Sequence, residues 1–407
     1  HPSTRIVLSS RPDHALQGWD GFVEFRVLPL TIETAVELIN KAPFDKGVKA
    51  LFTKDLRERL FDRHESFVSN PLLLSIMLLT YKDAANIPHK LSTYYGQAFD
   101  SLFHRHDAWK GGFQRARRTE LDVQEFGRAF SSFALMSYDR RQLSFTRSDA
   151  LGLVDDARAA SMLSFDGEAF LDDAIQAVCL LIEDGLEITF AHRSFQDYFV
   201  ARFIQFSPPD HKVALLERFI PRVRSDDVIP LLFEMDRYIV EKHYVLPRLA
   251  QLREELGVLN GVQVQHLVRY MQHKYSEIVV APYDAGKSRL SAAVSSKALL
   301  EFEFFVVRHY PRLRVTLQDP ERLVQAFRRE CGRSPSLSTS ALSVDSEFVL
   351  QMAEIGGRWS LSFLQALFEL EAEITTRLAD NQQTLQQLLA VPVAHPATGS
   401  RMEPKTW

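Results

Sequence analysis

The segment from Phe190 to Ala201 offers chemistry at a predicted helix start. Ser194 and Asp197 have the spacing of a capping box, in which a serine oxygen and a carboxylate each accept a hydrogen bond from a free backbone N–H. His192 would then lie in the turn just before the helix, beside an N-terminus that favours anions. The pattern makes His192 a candidate anion-binding residue, although an ordinary turn histidine would produce the same pattern.

Aromatic residues recur behind this helix start at helical spacing and predict one apolar face. They are Phe195, Tyr198, Phe199, Phe203 and Phe206. A face of this kind is typical of a helix that packs in a protein core. We therefore expect this helix to be the element around which its domain is organised.

Two further short motifs lie at the ends of predicted elements, one after a strand and one at the start of a helix. Residues Arg5 to Ser9 predict a short buried strand, and Arg11 and Pro12 come after it. Asn70 and Pro71 begin a predicted helix, because asparagine suits the cap and proline suits the first turn, where its missing N–H costs nothing. Thr31 is likewise predicted to cap a helix. Taken separately, these are ordinary turn and helix-start patterns.

Together the three segments resemble NACHT-type STAND NTPases, nucleotide-switched signalling ATPases that include animal inflammasome receptors and bacterial anti-phage proteins. The segment Phe190 to Ala201 resembles the closing motif of their winged-helix domain. Ser9-Ser10-Arg11-Pro12 resembles the sensor 1 motif, and Asn70 to Leu74 resembles a helical-domain motif. The matches occur in the family's order and cover His1 to about Phe206. The helices from Pro209 to about Leu256 are similar less sharply.

The resemblance implies a nucleotide site formed by three side chains. It implies that Arg11 contacts the γ-phosphate, where a planar guanidinium can hold two phosphate oxygens. It implies that Pro71 packs against adenine, for which a rigid proline ring is suited. It further implies that His192 contacts the β-phosphate of ADP and holds the inactive form shut. The implied cofactor is ATP or ADP with Mg²⁺, in the full-length protein only.

The family's glycine-rich phosphate loop and acidic Mg²⁺-binding motif should precede Arg11, and neither is in this sequence. The sequence begins at His1, so we expect the true N-terminus to lie upstream. Phosphoryl transfer depends on a cradle of backbone amides, a lysine and a metal. We therefore expect the polypeptide to be part of an ATPase but inactive alone, without catalytic residues or metal ligands of its own.

One stretch, Ala281 to Ser288, fits a relaxed phosphate-loop pattern with alanine in place of the first glycine. It follows the apolar residues Ile278 to Val280 and precedes a predicted helix, Ser291 to Val307, which is the context that such a loop needs. However, an aspartate inside an anion cradle is electrostatically unfavourable, and no convincing strand with a metal-binding carboxylate follows. We interpret the match as accidental.

The predicted fold class is mainly α, with the edge of an α/β P-loop NTPase core followed by helical and winged-helix domains. Strands at Arg5 to Ser9 and Phe22 to Leu28 indicate the core edge. A strand at Leu143 to Phe145 and a hairpin at Leu180 to Phe190, turning at Asp184-Gly185, indicate the winged helix. The predicted domains are the core edge (1–30), the NACHT helical domain (31–118), the winged-helix domain (119–206), a second helical domain (207–275), a C-terminal helical domain of unknown role (276–391) and a disordered tail (392–407).

Composition and charge argue against several classes of partner. The sequence of 407 residues is 46% hydrophobic and has a net charge of -4, which gives no case for a polyanion partner. The longest apolar run, Leu72 to Leu79, is shorter than the roughly 20 residues that a membrane span needs. The two cysteines, Cys179 and Cys331, suggest a reducing compartment, so we expect a cytoplasmic protein.

Charged clusters are interpreted as solvated surface. Arg115, Arg117 and Arg118 follow Gly111-Gly112 and indicate an interdomain linker. The acidic pairs are adjacent in sequence, and their carboxylates are not expected to converge. These pairs are Asp155-Asp156, Asp172-Asp173 and Asp226-Asp227.

Three functions are compatible with these patterns. The favoured one is the regulatory half of a signalling ATPase in innate immunity or anti-phage defence, which self-associates when an unknown trigger activates it. The second is a winged-helix DNA binder, but its recognition helix near Phe170 to Val178 carries Asp172 and Asp173 and no cation, which disfavours nucleic acid. The third is a helical adaptor with vestigial nucleotide contacts.

Overall fold

The computed structural model describes residues 25, 28–81, 90–105, 117–282, 288–317, 319–332, 334–355 and 357–390. The chain divides into two compact units, His1–Ile87 and Pro88–Trp407. The described residues are mainly helical, as the sequence predicts. The predicted strands at 5–9 and 22–28 lie outside the described residues, apart from Phe25 and Leu28, and so does the predicted tail at 392–407.

In the first unit, three helices pack against the apolar helix Pro71–Tyr81. The bounds are α1 (Ile32–Lys41), α2 (Lys46–Asp55), α3 (Phe61–Val68) and α4 (Pro71–Tyr81), with a π-helical turn at Leu56–Leu60. Thr31 caps α1 through its side-chain oxygen, as the sequence predicts. The hydroxyl of Tyr81 donates to Asp55 Oδ2 at 2.7 Å, and the Tyr81 ring packs edge-on against Phe52 at 5.1 Å. These contacts join the ends of α2 and α4.

The second unit begins with helices that enclose a small sheet. The bounds are α5 (Leu91–Arg105), α6 (Val123–Asp139), β1 (Ser144–Phe145), α7 (Arg147–Ser161), α8 (Gly167–Asp172), a π-helical turn (Asp173–Ala177), β2 (Leu181–Asp184), β3 (Glu187–Phe190) and α9 (Arg193–Phe206). The antiparallel strands have the order β1-β3-β2. The predicted strand and hairpin are confirmed. Gly185 has a φ of 60° in the hairpin turn, where a glycine is unstrained.

Helix α9 is enclosed by its neighbours over most of its length. Eight consecutive residues, Ser194 to Ala201, are buried. The Phe199 ring packs edge-on against Phe130 at 4.7 Å and Phe99 at 5.2 Å. The predicted aromatic face is confirmed at its start, where Phe195, Tyr198 and Phe199 are buried, but wrong at its end, where Phe206 is 73% exposed. The last turn is buried on one side, at Ile204, and exposed on the other, at Phe206.

Helices follow α9, with a second sheet among them. The bounds are α10 (Pro209–Phe219), α11 (Val228–Met235), α12 (Arg237–Val240), a π-helical turn (Glu241–Val245), α13 (Leu246–Leu256), α14 (Val264–Lys274), β4 (Tyr275–Pro282), β5 (Ser288–Val294), α15 (Lys297–His309), α16 (Pro320–Cys331), β6 (Ser336–Ser338), α17 (Glu347–Ile355) and α18 (Leu361–Ala390). Short 3₁₀ turns lie at Ile220–Arg222, Pro311–Leu313, Thr339–Ala341 and Gly357–Trp359. None of the described helices is both long and apolar enough to cross a membrane.

The second sheet corrects the predicted helix at Ser291 to Val307. Strand β4 pairs antiparallel with both β5 and β6, and β5 ends at Val294. Helix α15 begins only at Lys297, where Ser296 provides the N-cap. The β5 sequence, Ser-Arg-Leu-Ser-Ala-Ala-Val, has little strand character of its own. Pairing with the apolar β4 decides its conformation, because strand formation depends on the neighbours that a segment meets.

The phosphate-loop-like stretch lies at the end of β4 and the start of β5. Ala281 and Pro282 belong to β4 and Ser288 belongs to β5, while residues 283–287 lie outside the described residues. A phosphate loop leads from a strand into a helix. Here an antiparallel strand, β5, follows β4, so the predicted order of a strand followed by a helix is wrong. The antiparallel pairing of β4 with β5 supports the interpretation of this stretch as an accidental match.

The two described arginines of the predicted linker each contact a side chain of the same unit. The guanidinium of Arg117 lies 4.0 Å from the centre of the Phe103 ring. Arg118 forms an ion pair with Asp172. Arg117 and Arg118 are nevertheless exposed, in agreement with the expected solvated cluster, whereas Arg115 lies outside the described residues.

A buried carboxylate joins the C-terminal elements of the second unit. Glu303, on α15, is 2% exposed and contacts the ammonium of Lys274, at the end of α14. It also accepts from the Tyr270 hydroxyl at 2.5 Å and from Arg358 at 3.1 Å. A charge is tolerated inside a protein when it is paired and hydrogen-bonded in this way. The cluster therefore fixes how α14, α15 and the turn before α18 meet.

Substitutions on α9 should separate its buried and exposed aromatic residues. Phe199→Ala removes a ring with no exposed surface, and we expect a loss of about 3–5 kcal/mol in the free energy of unfolding. Phe206→Ala, on the same helix, is the control and should cost less than about 1 kcal/mol. Urea unfolding of both variants provides the measurement. Equal losses would show that α9 is not enclosed as described.

Candidate functional site

The three residues singled out from the sequence fall in different parts of the chain. Arg11 lies outside the described residues. Pro71 belongs to the first compact unit and His192 to the second. Their convergence on one nucleotide therefore stays a prediction, and Pro71 and His192 are described separately.

Pro71 is the first residue of α4, and its side chain is exposed. Asn70 caps the helix as predicted, since its Oδ1 accepts from the N–H of Leu72 at 2.9 Å and of Leu73 at 3.2 Å. The Pro71 carbonyl accepts from the Ser75 hydroxyl at 2.7 Å. The pyrrolidine ring is thus held at a defined helix start and presents an apolar face of fixed backbone angle.

His192 is itself the N-cap of α9. Its Nδ1 accepts from the backbone N–H of Ser194 at 3.2 Å, and the helix begins at Arg193. The predicted capping box is therefore wrong, because Ser194 lies inside the helix and Asp197 accepts from the N–H of Asp227 at 3.3 Å instead. The extended backbone of His192, with φ -151° and ψ 142°, places a ring nitrogen where a serine or aspartate oxygen usually caps.

The hydrogen bonds around His192 define its protonation state. A backbone N–H can only donate, so Nδ1 is an acceptor and the proton lies on Nε2. The hydroxyl of Ser194 lies 2.6 Å from the same Nδ1 and also hydrogen-bonds with the buried Tyr95 hydroxyl. In the part of the chain that the structure describes, Nε2 has no hydrogen-bond partner. The partly buried ring therefore has one N–H free to donate.

Burial also keeps His192 neutral. The low polarity around the ring lowers the pKa of His192, because the charged imidazolium would be poorly solvated there. A proton on Nδ1 would in addition remove the acceptor that caps α9. At physiological pH the ring can thus offer a hydrogen bond to an anion, but no charge.

Asp197, in the first turns of α9, lies beside two carboxyl groups from the segment before α11. Asp197 is 3% exposed, and its Oδ1 has no hydrogen-bond partner. Asp226 accepts from the Tyr138 hydroxyl at 2.7 Å, and Asp227 forms an ion pair with Arg308 at 2.9 Å. The interpretation of Asp226-Asp227 as a solvated pair is therefore wrong. Nowhere in the described ranges are three or more histidine, cysteine, aspartate or glutamate side chains arranged to hold a metal ion.

Asp197 titrates far from its ordinary range. Burial and, after it, the carboxylate of Asp226 raise the pKa of Asp197 to about 7, against the opposing effect of Arg193. Burial likewise raises the pKa of Asp226. A proton on Asp197 avoids two adjacent buried negative charges. Nothing in the spacing of the sequence indicates this state, since it depends on which groups the fold brings together.

The start of α9 is connected to the segment before α11. The guanidinium of Arg193 donates to the Ser225 carbonyl at 2.8 Å, and the Asp227 N–H donates to Asp197. Because Asp227 also pairs with Arg308 on α15, the connection extends to a later helix. These contacts join residues at least 30 positions apart, so no local motif could reveal them.

The segment proposed as a DNA-recognition helix has its carboxylates turned inward. Asp172 is 7% exposed and pairs with Arg118 and with Arg147, the latter at 2.6 Å. Asp173 is 2% exposed and accepts from the N–H of Thr119 at 2.9 Å and from its hydroxyl at 2.7 Å. The interpretation of this pair as solvated is wrong. These carboxylates brace the segment internally and offer no cation to a phosphate backbone.

A scan against protein-family models finds no match to this sequence, and a search of curated proteins also finds none. The functional interpretation therefore depends on the residues and contacts described above.

The titration of Asp197 predicts a specific pH dependence of stability. Since its pKa is higher in the folded chain (about 7) than the ordinary 3.8, the folded form is favoured below pH 4 and loses this advantage as the pH rises to about 7. Asp197→Asn stays neutral and should remove the loss. Relative to the unsubstituted chain, the variant should gain up to about 4 kcal/mol between pH 4 and pH 8.

Urea unfolding at a series of pH values provides the measurement. Asp156→Asn is the matched control, because Asp156 forms an exposed pair with Arg140. This control should show no comparable gain. A constant difference between Asp197→Asn and the unsubstituted chain across the pH range would contradict the raised pKa of Asp197.

Proposed function

We propose that this chain is the regulatory part of a nucleotide-switched STAND signalling ATPase, in which His192 binds the β-phosphate of ADP and holds the resting state. One observation carries the proposal: the Nδ1 of His192 caps α9, so Nε2–H is left as a donor at the helix N-terminus. A helix N-terminus favours phosphate. A hydrogen bond to a charged oxygen contributes about 1.5–3 kcal/mol.

The small sheet supports the proposed winged-helix domain. The order α6, β1, α7, α8, β2, β3 and α9, with the strands joined in one β1-β3-β2 sheet, is the order expected of such a domain. The exposed ring of Pro71 is suited to pack against a base, in line with its proposed contact with adenine. The proposed role of Arg11 at the γ-phosphate depends on the sequence resemblance alone. Mg²⁺ and the phosphates of ATP or ADP would be held mainly by a phosphate loop that this sequence does not contain.

The proposed switch works through unequal affinity for nucleotide in two states. Exchange of ADP for ATP would break the hydrogen bond from His192, and an interaction present in only one of the two states supplies coupling of about 1–3 kcal/mol. Helix α9 would then move with its domain. Because Arg193 and Asp197 join α9 to residues 225–227, the movement would reach the helices after Phe206.

In this proposal those helices hold the resting state or sense the trigger, and their movement exposes surfaces for self-association. We place the protein in the cytoplasm and in anti-phage or other innate defence. Nucleic acid is a less suitable partner, because Asp172 and Asp173 occupy the segment that would have to approach phosphates.

The proposed hydrogen bond from His192 to the β-phosphate is called the nucleotide clamp below. A test of this clamp must separate phosphate binding from helix capping. In the complete protein with its phosphate-loop core, His192→Ala removes both the donor and the cap. His192→Ser keeps an oxygen that can cap α9 but cannot reach the phosphate. We expect both variants to release a fluorescent ADP about 10- to 100-fold faster, since about 1.4 kcal/mol corresponds to a tenfold change. Both should also raise basal signalling activity.

Two further measurements make the outcome decisive. His211→Ala, at an exposed histidine on α10, is the control and should release ADP at the normal rate. The melting temperature of His192→Ser should stay near that of the unsubstituted protein, because a capped helix is retained. Normal ADP release in both His192 variants would reject the clamp and favour a helical adaptor with vestigial nucleotide contacts.

A further inference from the structure

A cleft of about 420 Å³ lies in the second unit between α5 and α9. This volume is within the roughly 300–1,000 Å³ of small-molecule sites. One face of α5 and one face of α9 form its long walls, and the end of α11 closes one side. The wall residues are Thr93, Gly96, Gln97 and Asp100 on α5 with Tyr198 and Gln205 on α9.

The Tyr198 hydroxyl opens into this cleft and has no protein partner among the residues that the structure describes. Tyr198 is 6% exposed and lines the cleft, and its hydroxyl makes no hydrogen bond to any residue that the structure describes. A buried tyrosine hydroxyl normally has a hydrogen-bond partner. Gly96 leaves room beside it, since a Cβ at this position would lie 3.2 Å from the hydroxyl oxygen. The cleft is thus the place from which a partner can reach Tyr198.

The charges that line the cleft favour a cation. Asp100 and Glu234 both line it, and Lys90 is the cationic residue of the lining. The Lys90 ammonium donates to the Glu234 carbonyl at 2.6 Å, which fixes its position but leaves its charge, so two carboxylates stand against one cation in the lining. The Glu234 carboxylate accepts from the Ser92 N–H at 2.7 Å. The exposed Asp100 carboxylate has no ion-pair partner within the described ranges.

We infer that this cleft binds a small organic cation, whose ammonium or guanidinium group hydrogen-bonds with Tyr198 and pairs with Asp100. The inference is independent of the nucleotide clamp, because it uses neither His192 nor the residues that contact it. A bound cation would bridge α5 and α9 and would hold α9 in its packed position. A free amine and a lysine or arginine side chain of a partner both present such a cationic group.

Isothermal titration of the full chain with agmatine and spermidine tests the inference. We expect both to bind and the dianion glutarate not to bind. Tyr198→Phe keeps the buried ring and removes only the hydroxyl, and Asp100→Asn removes only the charge. Each should weaken agmatine binding by about tenfold or more, because each removes a hydrogen bond or ion pair to a charged group. Glu217→Gln, at an exposed glutamate on α10, is the matched control and should bind agmatine normally.

A capped Gly-Arg-Gly peptide distinguishes the two sources of the cation. Binding as tight as that of agmatine supports a partner side chain, whereas binding of agmatine alone supports a free small cation. The inference is overturned if no cation binds at millimolar concentration, if glutarate binds equally well, or if Asp100→Asn binds agmatine normally. Asp100 is exposed, so its substitution provides a result even if Tyr198→Phe lowers stability.

Discussion

Helix α9 must be covered on every side, because eight consecutive residues of it are buried and a helix turns through all directions within four. Aromatic rings from α5 and α6 supply much of this cover, with Phe99 and Phe130 against Phe199. Complete enclosure also takes polar side chains into the interior, where each needs a partner. The Gln196 amide meets this requirement by donating to the Ser137 hydroxyl at 2.9 Å and to the Gln142 carbonyl at 3.0 Å.

The positions where enclosure leaves a polar group incompletely satisfied are the ones with functional potential. Burial and, after it, the carboxylate of Asp226 raise the pKa of Asp197 to about 7, and its Oδ1 has no hydrogen-bond partner among the described residues. His192 uses Nδ1 to cap the helix and retains an N–H on its other nitrogen. Tyr198 turns its hydroxyl into the cleft beside Gly96. Proteins commonly violate the rules of polar satisfaction at functional sites and compensate elsewhere.

Local signals in the sequence were sufficient for many elements and insufficient for others. The caps at Thr31 and Asn70 follow from a side chain and a backbone donor within three residues, and both are confirmed. The Ser194–Asp197 box failed because His192 competes for the same donor and Asp227 takes the carboxylate. Strand β5 was missed because its pairing with β4, which the chain order alone does not specify, determines its conformation.

The sequence by itself determined the helical character of the chain, the hairpin at Asp184-Gly185 and the choice of Pro71 and His192 as residues of interest, since periodicity, turn chemistry and motifs act over short distances. Only the tertiary structure decided that His192 is a neutral cap, that burial raises the pKa of Asp197 and that Tyr198 faces a cleft. Protonation and accessibility depend on burial and on neighbours from distant parts of the chain. These properties arise only when the chain has folded, because a side chain in water is solvated alike wherever it stands in the sequence.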